Sequence, residues 1–159
     1  MRSISPWLPR LTIVAALLLS ILPLPETWLP WRPYWVALVL IYWHLETGRL
    51  GGLGTAFGIG LAADVMTGTL LGQHALSLII INFLVGRFRN RIRFFPPWQQ
   101  ALAIGALLLN DRVVQLWIVA LTNRNWPDWS WWLSPISGLL LWPWVFLLLD
   151  ALRSRLKGP

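Results

Sequence analysis

Residues 135–152 read PISGLLLWPWVFLLLDAL, and Arg153, Arg155 and Lys157 follow this run directly. The run is long enough for a helix to cross the hydrocarbon core of a bilayer, and Asp150 is its single charged residue. An apolar segment that ends in basic residues is typical of a membrane-spanning helix whose basic end lies in the cytoplasm. This stretch therefore predicts a helical membrane protein.

The composition of the whole chain agrees with that stretch. The chain has 159 residues, of which 57% are hydrophobic and 12% charged, and its mean hydropathy is +0.61. One membrane domain over residues 1–159 accommodates about six spans of roughly 20 residues. No room remains for a separate soluble catalytic domain. Because cysteine is absent, disulfides, thiol nucleophiles and cysteine-bound metals are excluded.

Apolar segments, separated by clusters of proline, glycine, tryptophan and arginine, predict an all-α polytopic bundle of six transmembrane helices. The predicted spans cover about 11–27, 30–45, 50–65, 69–86, 98–121 and 135–152. The third and fourth spans are short, because Gly51 to Gly86 must provide two crossings. A single long span in that region is the alternative.

The basic residues predict the orientation, since they are enriched in cytoplasmic segments. Six spans with both termini in the cytoplasm place most basic residues inside and leave Arg32 and Arg124 outside. Those inside are Arg2, Arg10, Arg49, Arg87, Arg89, Arg91, Arg93, Arg153, Arg155 and Lys157. Five spans would put both arginine clusters outside. Nucleic-acid binding is not predicted from the net charge of +7, because no RNP, zinc or helix-turn-helix pattern accompanies it.

Small residues recur at every fourth position through the third span and into the fourth. They are Gly52, Ala56, Gly60, Asp64, Gly68 and Gly72. In a helix, this spacing forms one slowly drifting stripe. Close helix packing is the structural interpretation, since small residues let helix backbones approach each other in a bilayer. The functional alternative is a substrate cleft with a glycine floor.

Asp64 requires a partner, because an unpaired carboxylate inside a membrane costs roughly 2.5–3.5 kcal/mol on insertion scales. We expect Asp64 and Arg112 to form a buried polar pair within the bundle, with a water-lined position for either as the alternative. A proton or ion relay through Asp64, Asp111 and His74 is a further hypothesis, because intramembrane ionisable groups are frequently functional. Near the carboxyl end, Asp150 and Arg153 are expected to pair across one helical turn.

The sequence contains no motif for enzymatic catalysis. G-x-S-x-G, H-E-x-x-H and P-loop patterns are absent, and Ser77 and His74 are too isolated to indicate a protease. We therefore predict no enzyme activity, no cofactor and no metal site. The tryptophans between 126 and 132 predict an interfacial anchor, or alternatively a partner-binding patch. The Arg87 to Arg93 run predicts a topogenic signal, and secondly a contact for anionic lipid or an acidic partner.

Several short motifs, taken in order, resemble one family. They are Arg32-Pro33-Tyr34-Trp35, the glycine-rich Gly54 to Gly72 stretch with Asp64 and Leu71-Gly72, Trp98-Gln99-Gln100, and Leu141-Trp142-Pro143-Trp144. Their order and spacing resemble the rod shape-determining protein MreD family of bacterial cell elongation, in its gammaproteobacterial form. The resemblance covers most of the chain.

The resemblance implies a multi-pass inner-membrane scaffold without catalytic activity. Its implied partners are MreC and, through MreC, the actin-like MreB, RodA and a penicillin-binding transpeptidase, together with membrane lipid. The family is also similar in membrane architecture to the substrate-binding components of energy-coupling-factor transporters. A small-molecule transporter or ligand-binding subunit of that type is therefore the alternative function.

A scaffold of this kind can hold a partner's transmembrane helix in a groove of small residues. We expect such helix contacts, or a partner groove, at Gly54, Gly58, Gly60 and Asp64. A second group is expected to position the bundle and consists of Arg32, Trp35, Trp142 and Trp144.

Overall fold

The computed structural model describes residues 5–48, 52–122 and 125–156, and this part of the chain is helical and without strands. Its α-helices are α1 Trp7–Ile21, α2 Trp35–Thr47, α3 Leu53–Thr67, α4 Gln73–Ile92, α5 Pro97–Leu121 and α6 Leu133–Arg155. Two short 3-10 turns, Leu29–Trp31 and Trp129–Trp132, precede α2 and α6. Arg2, Arg49, Arg124 and Lys157, on which the orientation argument drew, lie outside the described residues.

Helix α2 forms the centre of the bundle. Every residue from Val36 to Leu45 is buried, and α1, α4 and α6 pack around it. A helix that is apolar on all sides is suited to such a position. Trp43 donates a hydrogen bond from Nε1 to Oγ1 of Thr12 in α1, at 2.8 Å. This hydrogen bond joins α1 to the central helix.

Helices α3 and α4 form a tight hairpin. Gly68 and Gly72 lie in the turn with φ of +68° and +97°, which glycine adopts without a steric penalty. Within the hairpin, a Cβ atom at Gly60 would lie 2.3 Å from Cα of Ala75, so only glycine permits this approach. The alternative of one long span across residues 51–86 is wrong, because the chain reverses within it.

The ends of the first helices differ from the predicted spans 11–27 and 30–45, and prolines explain the difference. Helix α1 begins earlier, at Trp7, and ends at Ile21, shortly before Pro23. Helix α2 begins only at Trp35, after Pro33. Proline lacks a backbone N–H and disfavours a helical conformation in the residue before it.

Two helical segments of the described residues, Pro97–Leu121 and Trp129–Arg155, are long and apolar enough to cross a membrane. Helices α1 and α3 are apolar but shorter. Helix α4 has 20 residues and continues through the arginine run to Ile92, because arginine is a good helix former. The outer surface of the bundle carries many large apolar side chains, as contact with a bilayer requires. Trp117 and Leu140, for example, are 67% and 61% exposed.

Candidate functional site

A cavity of about 350 Å³ lies at one end of the bundle. The carboxyl ends of α1 and α3 meet the amino ends of α2, α4 and α6 there, and the second half of α5 completes the wall. The polar and aromatic side chains that define it include Arg32, Tyr34, Gln73, His74, Arg112 and Trp131. No glycine of the described residues lines this cavity, so it is not the glycine-floored cleft considered from the sequence.

Asp64 is buried beside this cavity and has a complete set of partners. Its Oδ1 accepts hydrogen bonds from Oγ1 of Thr69 at 2.8 Å and from the backbone N–H of His74 at 2.9 Å. Its Oδ2 accepts from the backbone N–H of Gly72 at 2.8 Å, and Nδ1 of His74 lies 2.7 Å from Oδ1. The carboxylate therefore caps the amino end of α4, where the helix dipole favours negative charge.

The expected Asp64–Arg112 pair is not formed. No hydrogen bond or ion pair in the described part of the chain joins them, because the donors at the α3–α4 turn already occupy the Asp64 oxygens. Arg112 instead lies in the cavity wall, with its guanidinium carbon 4.8 Å from the centre of the Trp131 ring. Within residues 5–48, 52–122 and 125–156, it has no hydrogen bond or ion pair. Arg112 is thus a cation with free donors.

Asp111 belongs to a separate network between α4 and α5. Oγ of Ser77 donates to Oδ1 of Asp111, and Nε2 of Gln115 donates to both carboxylate oxygens at 3.1 Å. Gln73 in turn donates to Oε1 of Gln115 at 3.4 Å. Among the residues that the structure describes, no hydrogen bond connects this network to Asp64. Within the described residues, the two carboxylates therefore belong to separate hydrogen-bond networks, and the relay through Asp64, Asp111 and His74 stays a prediction.

Arg32 joins the ends of two helices. Its guanidinium donates to the carbonyl oxygens of Ser20, at 2.9 Å, and Leu22 at the end of α1. Its own carbonyl accepts from Oγ of Ser134 at the start of α6, at 2.8 Å. Arg32 thus joins the ends of α1 and α6, and its role in positioning the bundle stays a prediction. Two atoms of the cavity wall, Nε of Arg32 and Oη of Tyr34, are buried without a hydrogen-bond partner among the described residues.

The tryptophans predicted to position the bundle lie in different surroundings. Trp35 packs against the core at the start of α2, and Trp142 is buried and donates from Nε1 to Oε1 of Gln100 in α5, at 3.2 Å. Trp144 is 70% exposed and points away from the bundle. Internal packing is therefore a property of Trp35 and Trp142, whereas Trp144 belongs to the outer surface.

The glycines of α3 occupy two opposite faces. Gly60 and Ala56 are buried against α4, whereas Gly54 and Gly58 are exposed. Apart from the helix's own backbone, Cβ atoms at Gly54 and Gly58 would have no heavy atom of the described residues within 4 Å. The predicted helix contact at Gly60 is thus a contact within this chain, whereas the predicted partner groove at Gly54 and Gly58 stays a prediction.

The two ends of the bundle carry charged groups that pair with each other and tryptophans that are exposed. At the arginine-rich end, Nη2 of Arg153 lies 2.6 Å from Oδ1 of Asp150, which confirms the predicted pair. Nη1 of Arg153 also lies 3.4 Å from Oε2 of Glu46. At the opposite end, Trp126 and Trp129 are 72% and 91% exposed, as both a membrane anchor and a partner patch require.

Sequence reasoning did not single out Tyr34, Gln73 or Gln115 as cavity residues. Each lies within or next to an apolar helix, where a polar side chain gives no sign of the neighbour that it faces. It grouped His74 with Asp64 only in the relay hypothesis and did not predict their direct contact. A signal for that contact was present, since a glycine-rich turn separates the two residues and brings them to the same end of the hairpin.

Comparison with known proteins agrees with this architecture. The family model described as rod shape-determining protein MreD matches residues 1–152. A curated protein of Haemophilus influenzae named rod shape-determining protein MreD is 30% identical over 157 residues, which cover 98% of this chain and 97% of the relative. No solved structure matches the chain. The chain is therefore a member of the rod shape-determining MreD family, a family of membrane-associated shape proteins.

Proposed function

We propose that this chain is a non-catalytic, multi-pass scaffold of the bacterial inner membrane that links MreC and MreB to peptidoglycan synthesis. RodA and a penicillin-binding transpeptidase are the further members of the proposed assembly. Membership in the family supports a role in determining rod shape. In the proposed topology, all six helices cross the membrane and both termini are cytoplasmic.

The orientation is supported by the distribution of charge along the bundle. Arg87, Arg89, Arg91 and Arg93 lie at the end of α4, and Arg153 and Arg155 lie at the end of α6. The cavity and the tryptophan-rich segment lie at the opposite end. The enrichment of basic residues in cytoplasmic segments therefore favours a cytoplasmic arginine end and an outward-facing cavity.

The open face of α3 is the observation that carries the scaffold proposal. Gly54 and Gly58 are one helical turn apart, and no atom of the described chain fills the space above them. In a bilayer, small residues at this spacing permit close approach of another helix, which packing and weak polar contacts then stabilise. We propose that a transmembrane helix of an MreC-type partner occupies this face.

The first experiment tests the role in shape. Expression of this chain in its native host, after depletion of the host's own copy, is expected to restore rods. Membrane insertion is measured separately by fractionation. Cells that stay rod-shaped during depletion, without any added copy, would remove the proposed role.

The second experiment tests the docking face. Gly58→Leu adds bulk in open space and is expected to lower copurification with an MreC-type partner while insertion is retained. Ala120→Leu is the matched control, because Ala120 is also exposed but lies on α5. Equal partner recovery from both variants would show that α3 does not hold the partner.

A ligand-binding subunit of the energy-coupling-factor type is the second candidate function. The cavity that Arg112 lines favours it, because its volume lies within the range of small-molecule sites. Ligand-dependent stabilisation of the purified protein would support this candidate.

A further inference from the structure

At the cavity end of the bundle, several hydrogen-bond donors lack an acceptor among the described residues. Arg112 has neither a hydrogen bond nor an ion pair among the described residues, and the nearby carboxylates of Asp64 and Asp111 are bound by other groups. Nε of Arg32 and Oη of Tyr34 also lack partners. All three donor side chains line the same cavity.

These donors define the chemistry that the cavity can accept. A guanidinium presents several N–H groups in a planar fork, which matches the oxygens of a carboxylate or phosphate. Arg32 adds a second positive charge and its Nε–H, since its two terminal nitrogens already donate to Ser20 and Leu22. The Tyr34 hydroxyl adds a neutral donor.

Asp111 lies in the same cavity wall and attracts Arg112 electrostatically, but its oxygens accept hydrogen bonds from Ser77 and Gln115. An anionic ligand would therefore supply the hydrogen-bond acceptor that Arg112 lacks among the described residues.

The size and walls of the cavity set further limits on the ligand. A volume of about 350 Å³ lies at the lower end of the range for small-molecule sites, roughly 300–1,000 Å³. Trp131 stacks on Arg112, at 4.8 Å from guanidinium carbon to ring centre, and thereby limits the directions in which the guanidinium can point. Tyr34 packs edge-on against His74, with ring centres 5.4 Å apart. Both donors are therefore held in place by aromatic rings before any ligand arrives.

We propose that this cavity is an oxyanion-binding site in which Arg112, assisted by Arg32 and Tyr34, binds the phosphate or carboxylate group of a small ligand or lipid headgroup. The site is separate from the open face of α3, since Gly54 and Gly58 do not line it. The two proposals are therefore independent. Loss of partner docking on α3 would not affect the oxyanion site, and absence of oxyanion binding would not affect docking on α3.

The test uses the full-length protein in nanodiscs made from phosphatidylcholine alone. Inorganic phosphate and glycerol phosphate are titrated at constant ionic strength, and the midpoint of thermal unfolding is measured. A second set of nanodiscs contains phosphatidylglycerol and receives no soluble phosphate. Binding to the folded state raises the midpoint in a saturable manner.

Arg112→Gln is expected to abolish this response or to lower the apparent affinity at least about tenfold, because the charge-assisted hydrogen bonds are lost. Arg91→Gln is the matched control, since it removes an exposed charge from the opposite end of the bundle and is expected to respond as wild type. Tyr34→Phe removes only the hydroxyl and is expected to weaken binding by a smaller factor. It remains informative if Arg112→Gln fails to fold.

A response to soluble phosphate in phosphatidylcholine nanodiscs would identify a free ligand as the source of the oxyanion. A response confined to phosphatidylglycerol nanodiscs would identify a lipid headgroup. Either result supports the site, provided that it depends on Arg112 or Tyr34 and not on Arg91. No response in either arm, or equal responses from all variants, would overturn the proposal.

Discussion

Helix α3 presents glycines on two opposite faces, and their surroundings differ completely. Gly60 lies so close to α4 that an added Cβ atom would be 2.3 Å from a backbone atom of Ala75, whereas the space above Gly58 is empty to 4 Å. One face of the helix is therefore committed to folding of this chain. The other face is exposed in the described part of the chain, although both faces carry glycine.

This difference shows that a small-residue pattern does not by itself identify a partner site. Close approach of backbones in a bilayer uses glycine both within a chain and between chains. Substitution of Gly60 would therefore report on folding rather than on partner binding, contrary to what the sequence pattern implied. Variants on the two faces can separate the two roles.

The largest effect is expected for Gly60→Leu. Its side chain would meet the backbone of Ala75, which cannot move without opening the α3–α4 hairpin. We expect almost complete loss of monodisperse protein on size-exclusion chromatography in detergent. Gly58→Leu is the paired control and should elute as wild type, because leucine is a better helix former than glycine and meets no atom there.

The second largest effect is expected for Asp64, which lies at the carboxyl end of α3. Asp64→Ala leaves the partly buried backbone N–H groups of Gly72 and His74 without this acceptor, which should cost about 2–4 kcal/mol of unfolding free energy. Asp64→Asn retains an acceptor oxygen and should lose less. Denaturant titration in micelles measures both. A loss as large for Asn as for Ala would show that the charge, rather than the cap, is decisive.

Thr69→Val is a smaller test of the same cap. Valine keeps the shape of the side chain but removes the hydroxyl that donates to Asp64 at 2.8 Å. The two backbone donors remain, so we expect a loss of only about 1 kcal/mol in the same titration. Thr55→Val, at an exposed position of α3, should change the unfolding free energy little. Equal effects of the two variants would contradict the cap.

The fold was predictable to the level of six helices, because apolar runs and their proline, glycine and arginine boundaries are local properties of the chain. The predicted boundary near Pro33 was less accurate, because α2 begins after this proline, at Trp35, and not at residue 30. The central place of α2 was not predicted. Its uniform apolarity is compatible with both lipid contact and burial, and only packing distinguishes them.

The candidate site was predictable only in part. Asp64 and Arg112 were recognised as intramembrane charges that need stabilisation, and Arg112 does line the cavity. Their partners could not be read from spacing. A carboxylate at the end of α3 meets the backbone N–H groups of its own hairpin first, and those donors are present at every helix start and carry no side-chain signature.

The smallest effect is the coupling in unfolding free energy between substitutions of Asp64 and Arg112. The sequence hypothesis of a direct pair predicts that the double variant loses less unfolding free energy than the sum of the single losses. The structure instead places Asp64 in the α4 cap and Arg112 against Trp131. The losses from Asp64→Ala and Arg112→Ala should therefore add to within about 0.5 kcal/mol. The pair Asp64 and Thr69 provides the positive control, because their direct hydrogen bond should give a measurable coupling. Coupling between Asp64 and Arg112 as strong as in that control would restore the ion pair and leave the cavity without its free cation.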